Sequence, residues 1–101
     1  MSNSKISVTI DIDLVDLIPG FLANRGKDLS TLQSALESLD FTVIQSIGHS
    51  LKGVGGGYGF DRMSEIGASI ENAARYKHVD QLKELITSYS DYLARVEVSF
   101  E

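Results

Sequence analysis

The chain has 101 residues, 43% of them hydrophobic, a formal net charge of −5 and no cysteine. This describes one domain with enough apolar material for a single core, and excludes a disulfide framework or a thiolate metal site. The acidic balance, without a basic cluster, argues against nucleic acid or an anionic membrane as partner; no apolar run nears the roughly 18 residues of a membrane span, and the absence of an apolar signal core makes a cytoplasmic location the expectation.

Residues 5–12 read K-I-S-V-T-I-D-I. Ile6, Val8, Ile10 and Ile12 alternate with polar residues, which is strand periodicity. Val96, Val98 and Phe100 alternate in the same way at the other end. Two readings are open. In one, the ends pair as an antiparallel two-stranded ribbon on the base of the helices. In the other, the last helix runs to about residue 98 and residues 1–12 form a loose arm.

The first helix is expected to be capped by Asp13 or Asp16, with Pro19 tolerated in its first turn. Its apolar stripe is Leu17, Ile18, Phe21, Leu22, Leu29, Leu32, Leu36 and Leu39. Arg25 interrupts that stripe, so a paired or snorkelling arginine is expected there.

Asp40 reads as the N-cap of the second helix. Phe41, Ile44, Ile47, Leu51 and Val54 recur at three- and four-residue steps and define its core face. Thr42, Gln45, His49, Lys52, Gly53 and Gly56 fall on the opposite face, at about 100° per residue. His49 is one of two histidines, and five of the nine glycines lie within ten positions after it. Each helical glycine costs about 1 kcal/mol relative to alanine. Either the helix ends near Gly53 and the glycines form a C-cap and a Gly55–Gly59 turn, or a second macromolecule must approach bare backbone beside His49.

The third helix starts at Asp61 or Ser64. Met63, Ile66, Ile70 and Ala74 form its core side, with Ala73 near the edge. Gly67, Ala68, Glu71 and Arg75 lie on an adjoining face, Glu71 and Arg75 as an i,i+4 pair. The turn Tyr76–Asp80 leads to a fourth helix with the stripe Leu82, Leu85, Ile86, Tyr89, Leu93 and Val96. Four amphipathic helices on short connections predict an all-α, up-down-up-down four-helix bundle over residues 13–98, within a single domain spanning residues 1–101.

Enzyme readings find little support. The glycines of G-V-G-G-G-Y-G follow a helix, whereas phosphate-cradling loops follow a strand and open a helix. Gly48 and Gly53 have Walker-type spacing, but Val54 and Gly55 stand where Lys and Ser/Thr are required. His49 and His78 have no carboxylate cluster at ligand spacing, so no metal site is expected. A neutral imidazole, by contrast, is a nucleophile near neutral pH without a base to strip it.

The run H-S-L-K-G, on an amphipathic helix and followed by a glycine-rich turn with an aromatic, resembles the histidine-containing phosphotransfer (HPt) domain family. His49, Leu51, Lys52, Gly53, Gly59 and Phe60 match its pattern. The resemblance implies that His49 is the phosphoacceptor, that Lys52 assists the phosphoryl group, and that Gly53 lets a receiver domain dock; Gln45 and Gly56, on the same helix face as His49, are expected as further docking positions. Counted without a gap from the motif, Glu71 stands where a side chain hydrogen-bonds the ring, and Arg75 where a basic residue lies nearby. A carboxylate at 71 departs from the amide of some members. The implied function is transfer to or from a response-regulator aspartate in a two-component phosphorelay, with a sensor histidine kinase as further partner. The chain would be a monomeric carrier without turnover or cofactor of its own, the Mg²⁺ residing on the receiver. The alternatives are a non-transferring bundle that docks a receiver or kinase domain, and a small nucleotide- or phosphate-binding protein using the glycines.

Overall fold

The structure, a computed structural model, describes residues 4–101. Strand β1 (Ile6–Ile10) leads through a 3-10 turn at Ile12–Leu14 into α1 (Ile18–Glu37), followed by α2 (Phe41–Gly57), α3 (Asp61–Arg75), α4 (Val79–Arg95) and strand β2 (Val96–Phe100). Each helix packs on two others, α1 on α2 and α4, and α3 on the same two. This is the expected up-down-up-down bundle, with α2 and α3 in by far the closest association. Residues 1–3 of the expected arm lie outside the described residues.

The core follows the apolar periodicity. Leu32, Ile44, Leu51, Met63, Ile70, Leu82 and Tyr89 are fully buried, together with Phe60 from the α2–α3 turn. Tyr92, absent from the expected stripe of α4, is buried as well, and burial raises its phenol above the ordinary value. Leu17 and Leu39 belong to the expected stripe of α1 but are exposed. Both fall outside the helix, and Leu39 takes a left-handed φ of 55° in the α1–α2 turn.

Capping departs from expectation at α1. Neither Asp13 nor Asp16 caps α1; Asp11 caps the preceding 3-10 turn instead, accepting from the Asp13 N–H at 2.9 Å. Helix α3 starts at Asp61, the first of its two expected starts, with Phe60 at the N-cap position. At α2 the expected cap is present: Asp40 accepts from the Val43 N–H at 3.2 Å. Arg25 is paired, as its place in the apolar stripe requires. Its Nε lies 2.8 Å from Asp28 Oδ2, and its guanidinium lies 4.9 Å from the Phe21 ring centroid.

The chain ends pair, but in parallel, in register from Ile6 opposite Val96 to Ile10 opposite Phe100. The antiparallel expectation overlooked how each strand joins its helix. Two turns, at Ile12–Leu14 and at Val15–Leu17, separate β1 from α1, whereas β2 follows α4 without a break. Only β1 reverses relative to its helix, so strands attached to antiparallel helices run the same way. The rival reading, a fourth helix reaching residue 98, fails at Val96, which is extended at φ −65° and ψ 132°.

Candidate functional site

The glycine run does not end α2. The helix stays regular through Gly57, with Tyr58 as C-cap, and the chain turns only at Tyr58–Phe60, where Gly59 has φ 92°. The expected Gly55–Gly59 turn is therefore shorter than the spacing suggests. The far end of α2 is held by aromatic stacking: Phe21 on α1 lies 4.3 Å from the Tyr58 ring and 5.2 Å from Phe60, centroid to centroid.

The glycines divide into two groups. Gly48 and Gly55 are buried with Ile44 and Leu51, so the buried stripe is Ile44, Gly48, Leu51 and Gly55. Phe41, Ile47 and Val54, expected on the core face, are only half-buried. A β-carbon on Gly48 would lie 2.6 Å from the Glu71 backbone nitrogen and 2.9 Å from the Gly67 carbonyl oxygen. One on Gly67 would lie 2.6 Å from the Lys52 nitrogen, and one on Gly55 2.8 Å from the Ser64 nitrogen. These three glycines let α2 and α3 approach backbone to backbone. Gly53 and Gly57, by contrast, face open space, with nothing within 4 Å of an added β-carbon.

That close approach builds the site. Ser64 Oγ donates to the Lys52 carbonyl at 2.6 Å, tying the helices together beside it. Glu71, one turn past Gly67, reaches across to α2 and divides its carboxylate. Oε2 lies 2.9 Å from His49 Nδ1, and Oε1 lies 3.0 Å from Lys52 Nζ. The Glu71 side chain is 13% exposed, while those of His49 and Lys52 are 70% and 46% exposed. The carboxylate thus forms the floor, and the imidazole and the ammonium stand above it in solvent. The Lys52 hydrogen bond, and then that of His49, hold the Glu71 carboxyl below its ordinary value, against a partly opposing desolvation.

An ionised carboxylate only accepts hydrogen bonds. Its contact with Nδ1 therefore fixes the proton there and leaves the Nε2 lone pair of the neutral ring unengaged. The arrangement presents one defined nucleophilic nitrogen on an exposed helix face, beside a cation on a flexible stem.

Gln45, Gly53 and Gly56 continue this face along α2, one turn before His49, one turn after it, and nearly two turns after it. Gln45 is half-buried and Gly56 is exposed beside Ser64. Arg75 stands one turn beyond Glu71, exposed in the last turn of α3; its side chain makes no hydrogen bond or ion pair among the described residues, so the expected i,i+4 pair with Glu71 does not form, the carboxylate being taken by His49 and Lys52. His78 sits apart at the start of α4, against Gln81 and the Tyr76 ring. Gly48, Gly55, Gly67 and Ser64 are not among the expected site residues, yet they set the spacing of the site. The seven-residue step from Gly48 to Gly55, in phase with Ile44 and Leu51, is the signal that marks a close-packed helix face.

An exposed histidine mounted mid-helix on a four-helix bundle, with its ring oriented from the next helix, defines a carrier-type site rather than a substrate pocket. A family model for the Hpt domain matches residues 16–97, and the chain belongs to that family. Membership makes it a histidine phosphotransfer domain, of the kind that meets receiver domains and kinases in phosphorelays. No curated protein and no solved structure matches it. Among the described residues, no helix is long and apolar enough to cross a membrane.

Proposed function

We propose that His49 carries the phosphoryl group on Nε2, exchanging it with a receiver-domain aspartate of a response regulator, in a chain of transfers that begins at a sensor histidine kinase. The observation that carries this reading is the Glu71 carboxylate, 2.9 Å from Nδ1, which directs the lone pair of the exposed ring outward. In the forward step Nε2 attacks the phosphorus of an aspartyl phosphate. The N–P bond forms as the acyl O–P bond breaks, and the bonding pair leaves on the aspartate carboxylate. The Nδ1 proton stays on the ring, shared with Glu71. The reverse step returns the group.

Phosphoryl transfer is governed by alignment and charge compensation. Glu71 aligns the ring. Lys52, with three donors on a flexible stem, pivots from Glu71 to the phosphoryl oxygens, and Arg75 is a second cation within the same stretch of surface. Gly53 and Gly56, with Gln45 on the same face, leave α2 low enough for the receiver to bring its aspartate in line. The receiver supplies the Mg²⁺. The chain itself is modified and regenerated, and a cytoplasmic location fits such partners.

Incubation with a panel of phosphorylated receiver domains tests the reading. Label is expected to move to this chain, to be acid-labile and alkali-stable, and to vanish in His49→Gln with helicity intact. Undiminished labelling of His49→Gln would sink the assignment. Stable complex formation with a receiver, but no transfer in either direction, would identify a docking module instead.

A further inference from the structure

Among the described residues, the two-stranded sheet leaves one side of β1 unpaired. The ladder shows which backbone groups are committed. Glu101 donates its N–H to the Ile10 carbonyl at 3.1 Å, and its carbonyl accepts from the Ile12 N–H at 2.8 Å. Even-numbered residues of β1 therefore aim their backbone groups at β2. By the two-residue period, Ser7 and Thr9 aim theirs at the open edge. A groove of about 320 Å³, lined by Ile6–Thr9 together with Gly59, Asp61, Arg62 and Tyr92, leaves open space beside β1.

This edge is complementary to itself. From Lys5 to Asp11 it reads cation, Ile6, Ser7, Val8, Thr9, Ile10, anion. Turned end for end about Val8, every position meets a suitable partner. We infer that β1 pairs antiparallel with β1 of a second copy of this chain, Val8 opposite Val8. Ser7 and Thr9 then form hydrogen-bonded pairs with Thr9 and Ser7 of the other copy, and Lys5 lies opposite Asp11 twice. Backbone parity agrees, because the residues brought into hydrogen-bonded register are the odd-numbered ones that β2 does not use.

The end charges are available for this pairing. Lys5 now lies 3.7 Å from Glu97, both strongly exposed, a contact of little energetic consequence. Asp11 uses one carboxylate oxygen to cap the 3-10 turn and keeps the other. The edge of β2 is a poorer candidate. The Val96 N–H is spent on the Tyr92 carbonyl, and Arg95 is held by Asp91 and the Ser4 carbonyl. A ladder this short belongs to the small, reversible class of interfaces, so the chain is monomeric when dilute. The pairing is independent of the phosphoryl-relay reading.

Sedimentation of the full chain up to about 1 mM tests the inference, and the mass is expected to rise toward that of a dimer. Ser7→Pro deletes an N–H that β2 does not use and should abolish the rise. Lys5→Glu and Asp11→Lys should each remain monomeric alone and associate when mixed, because each supplies the charge the other lacks. Amide exchange gives a second reading: Ser7 and Thr9 should slow about tenfold between dilute and concentrated samples, with Val8 and Ile10 unchanged. If Asp11→Lys does not fold, the exchange measurement decides. A monomer at every concentration, a dimer that survives Ser7→Pro, folded variants that fail to associate on mixing, or exchange at Ser7 and Thr9 that ignores concentration each overturns the proposal.

Discussion

The backbone nitrogen of Glu71 lies 2.6 Å from the point where a β-carbon on Gly48 would sit. The residue directly before the site histidine is thus the one that lets the opposite helix come close enough for Glu71 to reach His49. Helix spacing and site geometry are one constraint here.

From this contact follows a difference in sign between two glycines of one helix. Gly48→Ala must push α3 away or distort it, because its neighbours are backbone atoms, and should destabilise the fold by about 1–3 kcal/mol. Gly53→Ala meets nothing within 4 Å and sits inside a regular helix. It should stabilise by up to about 1 kcal/mol. Chemical denaturation of the two variants decides it, and equal effects would contradict the packing described.

The same open space at Gly53 predicts a functional penalty that stability does not reveal. Gly53→Gln should fold as the parent does and yet lose phosphoryl exchange with a receiver, because its side chain would project from the face proposed for receiver docking. Normal transfer by this variant would remove Gly53 from the docking face.

Glu71 makes stability depend on acidity. Its carboxyl titrates below the ordinary 4.5, because Lys52 and then His49 favour the ionised form. A depressed folded value contributes stability that is fully present above the unfolded value, and that is lost as pH falls through the folded one. Glu71→Gln lacks this contribution. The stability difference between parent and variant should shrink as pH falls from about 5 to below about 4.5. Urea midpoints measured across that range test it; a difference that persists unchanged at the acidic end would refute the coupling.

Tyr92 offers a test in the core. Its hydroxyl is buried without a hydrogen-bond partner among the described residues, and an unsatisfied buried group opposes folding. Tyr92→Phe should be as stable as the parent or gain about 1 kcal/mol. A clear loss in the melting temperature would show that the hydroxyl has a partner in solution.

Local pattern was sufficient for much of this protein. The 3.6-residue recurrence of apolar side chains specified four helices, because each helix buries one stripe whichever neighbour it meets. The Asp40 cap and the common face of His49, Lys52 and Gly53 are likewise consequences of spacing within one helix. The spacing within α3 suggests Arg75 as the neighbour of Glu71; its place opposite His49 follows only from the family pattern, because nothing local in the sequence marks a partner on another helix. The tertiary structure alone decided that Glu71 also binds Lys52, and that Gly48 and Gly55 are packing contacts while Gly53 and Gly57 are bare surface. Four glycines of one helix look alike locally; what separates them is the distance to α3, set by every contact between the two helices. Strand direction at the base was of the same kind. The alternation of Ile6–Ile10 and Val96–Phe100 identifies two strands, but their relative sense depends on whether the chain reverses before α1, and the 3-10 turn capped by Asp11 makes it do so.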